Sequence, residues 1–148
     1  MEIQPVPSTQ APLELLLEAD PSPDSLRGYL PRSRCYVARD GDELLGAYVL
    51  QPRGDGIVEL MSIAVASTLQ GQGIGSALLR HAIATAAESD ARRLELGTGT
   101  FGYQLAFYQR AGFRVVAVER DYFLTHYAEP IYEDGIQHKD RLRLTLDY

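Results

Sequence analysis

The sequence has 148 residues, room for one compact domain spanning 1–148. Its 45% hydrophobic and 23% charged residues exclude a disordered or fibrous chain. The net charge of −6 argues against a nucleic-acid backbone as partner, and no apolar run approaches the ~20 residues that cross a bilayer, so no membrane partner is expected.

The start, MEIQPVPSTQ, has neither the basic flank nor the apolar core of a secretion signal, and a soluble, cytoplasmic protein is expected. One cysteine, Cys35, excludes an internal disulfide framework and a thiolate zinc cluster; no metal is expected. In chain order, the Pro-rich first thirty residues read as turns around two short helices. Ala11–Ala19 carries Leu13, Leu16 and Leu17 at amphipathic spacing. A second helix starts with Ser22 as N-cap and Pro23 in its first turn, and runs to about Leu30.

Strands follow at Arg34–Arg39 and Glu43–Gln51, joined by the hairpin signal Asp40-Gly41-Asp42. Ile57–Ala66 is a third. By simple alternation Ile57, Glu59, Met61, Ile63 and Val65 share one face, and Val58, Leu60, Ser62 and Ala64 the other. Both faces are apolar, the mark of a central strand covered on both sides. Gly73–Ser89 reads as a helix, with His81 on its polar side at the surface, then Arg93–Gly97 as a strand. Gly102–Ala111 follows as a helix closed by Gly112, then strands at Phe113–Glu119 and Arg141–Leu146. The order predicts a mixed α/β fold with helices on both faces of the sheet.

The sharpest local feature is Gln70-Gly71-Gln72-Gly73-Ile74-Gly75, set between the buried strand and a helix. Alternate glycines let backbone approach a ligand closely, and free N–H groups at a helix start favour phosphate. A Walker A loop would need Gly-Lys-Ser/Thr, which Gly75-Ser76-Ala77 does not supply. The dinucleotide fingerprint fails because Ser76 stands where it requires glycine. A plain strand-to-helix turn is the structural alternative.

Gln70-x-x-Gly73-x-Gly75 after ELMSIAV resembles the acyl-CoA signature of the GCN5-related N-acetyltransferases, the GNAT superfamily. Downstream, Tyr108 to Phe113 is similar to that superfamily's Tyr-x-x-x-Gly-Phe segment. The resemblance covers roughly Glu43 to Val118. It implies a mostly antiparallel sheet, splayed between two parallel strands. Pantetheine would bond to the backbone of Ile63, Ala64 and Val65, and the diphosphate would rest on N–H groups from Gln70 through Gly71, Gln72, Gly73, Ile74 and Gly75 to Ser76. It further implies a strand bulge that aims the N–H of Ile63 at the thioester oxygen, and acetyl-CoA as cosubstrate. Homodimerisation is common in the family. The stretch Asp121–Lys139 is similar to an aromatic, acidic insertion found in a bacterial subgroup. Where many members carry asparagine six residues before the tyrosine, this chain has Gly102, so the coenzyme contact made from that helix start is not carried over by the resemblance.

Amine acylation needs a neutral amine. Removing a proton from an alkyl amine of pKa ~10 at pH 7 costs about 4 kcal/mol. Glu59 interrupts an apolar strand, where burial would favour a base role; the resemblance points to the same residue. A glutamate paired to arginine or wet at the strand end is the alternative. Tyr108 carries a phenol able to protonate or hydrogen-bond the departing thiolate; its helical spacing alone fits a core aromatic equally. Cys35 is expected to be a buried, inert thiol. His126, Tyr127, Tyr132 and Glu133 in the insertion are candidate acceptor contacts, carboxylate and aromatic faces suiting an ammonium; a solvated loop is the alternative. The expected activity is acetyl transfer from acetyl-CoA to a primary amine, small-molecule or protein, by direct attack in a ternary complex. A non-catalytic acyl-CoA sensor is the rival reading.

Overall fold

A computed structural model describes all residues, Met1–Tyr148. The chain divides into two compact units, Met1–Arg92 and Arg93–Tyr148.

The first unit holds four antiparallel strands in spatial order β1 (Glu2–Val6), β2 (Arg34–Asp40), β3 (Glu43–Gly54) and β4 (Ile57–Val65). With them are the helices α1 (Leu13–Ala19), α2 (Pro23–Tyr29) and α3 (Ile74–Glu88). Helix α2 begins where the sequence predicts: Pro23 is its first residue and Ser22 Oγ accepts from the Ser25 N–H at 3.2 Å. Two expectations are corrected. Strand β1 stands where only turns and helices were expected; Pro5 lies within it, tolerated because β1 is an edge strand and Pro has no N–H to pair. In α1 the buried pair is Leu15 and Leu16, while Leu13 at the first position stays 53% exposed.

Helices cover both faces of this sheet. Leu15, Leu16, Leu26, Tyr29 and Leu30 form one core with Cys35, Val37, Ala47, Val49 and Ala64. On the opposite face Tyr48, fully buried, hydrogen-bonds His81 Nδ1 on α3 at 2.6 Å and Thr85 Oγ1 at 3.1 Å, and its ring stacks on Tyr36. His81, expected at the surface, is therefore half-buried. A phenol inside the sheet needs a polar partner, and α3 supplies it.

Strand β4 corrects the alternation reading. Val49 faces Ser62 but Leu50 faces Leu60, so Met61 is an extra residue, a β-bulge. Inserting one residue flips the faces beyond it. Glu59, opposite Gln51, thus shares its face with Ser62 and Ala64, the α1/α2 side, while Leu60 shares a face with Ile63. Alternation alone had grouped Glu59 with Ile63.

The second unit has three antiparallel strands in order β5 (Arg93–Gly99), β9 (Arg141–Asp147) and β6 (Arg114–Glu119). Helix α4 (Tyr103–Arg110) follows β5, and the Asp121–Lys139 insertion carries the short helix α5 (Tyr122–His126) and a two-stranded hairpin, β7 (Tyr132–Glu133) with β8 (Ile136–Gln137). The hairpin turns on Asp134 and Gly135, both at positive φ.

Candidate functional site

The first unit carries a strand-to-helix loop with open backbone. Gly71 and Gly73 have φ of +79° and +83°, and a Cβ built on either would meet nothing within 4 Å. The glycines thus serve the left-handed backbone rather than a tight contact, and the loop surface is free. Gly73 is the N-cap of α3 without a side-chain cap, and the first helical bond runs from Ala77 N–H to Gly73 O. The N–H groups of Ile74, Gly75 and Ser76 precede that bond and have no partner within the helix. With no acidic residue in the first turn of a fifteen-residue helix, this end suits a phosphate.

The strand leading to this loop orients its own donors. Ala66 N–H donates to Leu45 O at 2.9 Å; by alternation Ala64 also points its N–H at β3, and Ile63 and Val65 point theirs away. The bulge expected near Ile63 is present two residues earlier, at Met61.

Glu59 is buried, at 8% exposure, with Arg53 Nε 3.8 Å from its Oε1. Arg53 also donates to Gln51, the cross-strand neighbour of Glu59, so the carboxylate belongs to a polar cluster at this end of β3 and β4. Ser62 Oγ, on the same face, is buried with no hydrogen-bond partner. The arginine pairing foreseen as the alternative for Glu59 is real, and it leaves a buried carboxylate with a partner half-exposed to water.

In the second unit Tyr108 is buried on α4, its ring edge-on to Phe113 at 6.0 Å and tilted against Phe107 at 5.3 Å. Burial, with a smaller contribution from Tyr103, pushes its phenol well above the ordinary tyrosine range. Burial thus makes the phenol a weaker acid that keeps its proton and can serve as a hydrogen-bond donor.

The start of α4 is filled. Gly102, its N-cap, has φ +100° and ψ 169°, a region open only to glycine. A Cβ there would lie 2.4 Å from Glu133 Oε2. The other carboxylate oxygen of Glu133 accepts from His138 Nε2 at 2.9 Å. The His138 ring stacks on Phe101 at 4.1 Å and 6°, and a Cβ at Gly99 would fall 2.4 Å from its Cε1. His138 is buried, and its Nδ1 has no partner. Sequence reasoning did not pair Glu133 with His138. The signal was there in Asp134-Gly135, a hairpin dipeptide that folds the chain back between them.

The other insertion candidates lie on different parts of it. His126 is exposed and stacks on Tyr122 at 4.1 Å, Tyr127 lies beside Phe123, and Tyr132 is 62% exposed on the hairpin. Arg141 lies over the Tyr122 ring at 3.6 Å and donates to Glu119.

Known proteins resemble this chain over most of its length. Residues 5–113 match the family model described as acetyltransferase (GNAT) family. An uncharacterized N-acetyltransferase, YvbK, of Bacillus subtilis strain 168 is 47% identical over 135 residues, 90% of this chain and 87% of the relative. The solved structure of an IAA acetyltransferase from Bacillus cereus ATCC 14579 aligns with TM-score 0.96 and 44% identity over 99% of both chains. A GNAT family acetyltransferase from Elizabethkingia anophelis, solved with acetyl-CoA bound, aligns with TM-score 0.95 and 38% identity over 99% of this chain and 97% of that one.

Proposed function

Because the chain belongs to the GNAT family and is an acetyl-CoA-dependent acyltransferase, we propose that it moves the acetyl group to a primary amine by direct attack in a ternary complex. The observation that carries the reading is the open, uncapped start of α3. The diphosphate of acetyl-CoA lies on the N–H groups between Gln70 and Ser76, and pantetheine runs along Ile63, Ala64 and Val65. The Ile63 N–H, turned away from β3, polarises the thioester carbonyl as negative charge develops, worth about 3–4 kcal/mol.

Glu59 takes the proton from the acceptor ammonium, directly or through water, offsetting the cost of about 4 kcal/mol for neutralising an amine at pH 7. The neutral amine attacks the carbonyl carbon, the attacking nitrogen gives up its extra proton to water, the C–S bond breaks, and the CoA sulfur leaves as thiolate. Tyr108 protonates or hydrogen-bonds that sulfur through its phenol O–H; burial weakens the phenol as an acid, which favours the hydrogen bond. No covalent enzyme intermediate is required.

His126, Tyr127 and Tyr132 offer aromatic surface to the acceptor, while Glu133 has one oxygen on His138 and the other against Gly102. The acceptor is a small-molecule amine or a protein amino group, and the protein works in the cytoplasm. No helix of the chain is long and apolar enough to cross a membrane.

The test has two arms. Calorimetric titration with acetyl-CoA should show binding, and a thiol-release screen over amines, amino acids, aminoglycosides and peptides should find an acceptor. Binding without thiol release from any of them would favour a coenzyme sensor, and no binding would end the proposal.

A further inference from the structure

Helix α4 begins against a side chain from the insertion rather than on a cap of its own. Its N-cap is glycine, it has no side-chain cap, and its first turn has no acidic residue. The negative group that favours a helix start comes from Glu133, whose Oε2 sits where a side chain on Gly102 would begin. Nothing on the hairpin itself fixes that carboxylate. His138 does: its Nε2–H donates to Oε1, and its ring is wedged between Phe101 and the backbone at Gly99.

This arrangement has a cost. With the proton on Nε2, Nδ1 of His138 is a buried acceptor without a donor, a group that native interiors avoid. A phenylalanine at 138 would fill the same space and keep the stack on Phe101, but it would take from Glu133 Oε1 the donor it has in His138. What histidine supplies there, and phenylalanine cannot, is the N–H that fixes the Glu133 carboxylate at the base of the helix that carries Tyr108.

We propose that Glu133 and His138 are positioning residues for the acetyl transfer: together they replace the missing cap of α4 and hold the helix, and with it Tyr108, in the register that the reaction needs. Neither is a catalytic residue in this assignment, and the link to turnover rests on the role proposed above for Tyr108. The structural part, that the dyad holds α4, stands without it.

The experiment uses the full chain in three forms: unaltered, His138→Phe and Glu133→Gln. Melting temperature, amide hydrogen exchange of residues 103–110, acetyl-CoA affinity by calorimetry and steady-state kinetics with the acceptor found in the screen are compared. His138→Phe should melt close to the unaltered chain, the kept ring packing offsetting part of the lost bond, while its α4 amides exchange about tenfold faster. Its kcat should fall about tenfold at unchanged acetyl-CoA affinity, a misplacement effect. Glu133→Gln, which keeps the shape and an acceptor but removes the charge, should shift both readings in the same direction by less.

Unchanged α4 exchange in both variants overturns the proposal. So does a raised acceptor KM in Glu133→Gln with α4 exchange and kcat unaltered, since that would make Glu133 an acceptor contact. If His138→Phe melts lower, Glu133→Gln decides alone by its exchange. The exchange reading needs no turnover, so it remains decisive if no amine is acetylated.

Discussion

Helices α3 and α4 each begin on a glycine at positive φ, +83° at Gly73 and +100° at Gly102, and neither has a side-chain cap or an acid in its first turn. At Gly73 a Cβ would meet nothing within 4 Å; at Gly102 it would strike the Glu133 carboxylate. Two helix starts of the same polarity thus have opposite occupancy. One is left open, and the other is filled by a carboxylate of the chain's own. The difference shows that a glycine at a helix start does not by itself mark a phosphate site; what else reaches the first turn decides it.

Making α3 resemble α4 breaks this comparison most severely. Gly73→Asp brings a carboxylate to the open start, at a backbone conformation that aspartate tolerates better than most residues and with space for its side chain. Repulsion of a diphosphate should weaken acetyl-CoA binding about 1,000-fold, or about 4 kcal/mol, in a calorimetric titration. Melting temperature should fall by only a few degrees, because aspartate at φ +83° is strained but meets no neighbour. Unaltered affinity would remove the start of α3 as the diphosphate site.

Tyr108→Phe comes next. Turnover should fall about 100-fold, with acetyl-CoA affinity nearly intact, because the ring packing on Phe107 and Phe113 survives. Unchanged turnover would deny the phenol a part in thiolate departure. Glu59→Gln should cost about 100-fold at pH 7. That deficit should shrink as pH rises toward 9, because more of the amine is then neutral without a base. A deficit constant with pH would mark Glu59 as a structural partner of Arg53 instead.

Much of the open start was legible in the sequence, and almost none of the filled one. Gln70 to Gly75 is contiguous, lies between a strand and a helix, and its glycines do what alternate glycines do. Ser22 with Pro23 announced α2 equally plainly. The bulge at Met61 was not readable from β4, because register is a property of the pair and the mismatch shows only against Val49 and Leu50. Burial of His81 depends on Tyr48, 33 residues away. The dyad at α4 needs a hairpin to bring Glu133 to His138 and a separate strand end to bring both to Gly99 and Gly102. Local patterns write local structure; meetings between distant segments are written only jointly.

A change at the filled start should have a smaller, graded effect. Gly102→Ala puts a side chain into a backbone region reserved for glycine and into the Glu133 carboxylate. The strain should cost about 2 kcal/mol, which lowers the melting temperature by about 5 °C in a chain of this size. Repeating it in a Glu133→Ala background removes the collision and leaves the strain, so the second drop should be smaller. Equal drops would mean that Glu133 does not occupy the site.

The least of these effects separates burial from function. Cys35 and Tyr108 are both pushed toward their protonated forms by burial, yet only Tyr108 is given a chemical role; Cys35 lies in the α1/α2 core with its thiol raised from 9.0 to about 11. In the folded chain the thiol holds its proton more tightly than in the unfolded one, so folding gains stability that is fully present below pH 9 and lost as pH climbs toward about 11. Cys35→Ala lacks this dependence. At neutral pH the variant should be the less stable, by about 1 kcal/mol for the smaller side chain, and the gap in melting temperature should narrow between pH 9 and 11. Alkylation by iodoacetamide at pH 8 should be slow until the chain unfolds, because the thiolate is the reactive form and burial suppresses it. Rapid alkylation of the folded chain with turnover abolished would give Cys35 the standing that its position in the core denies it.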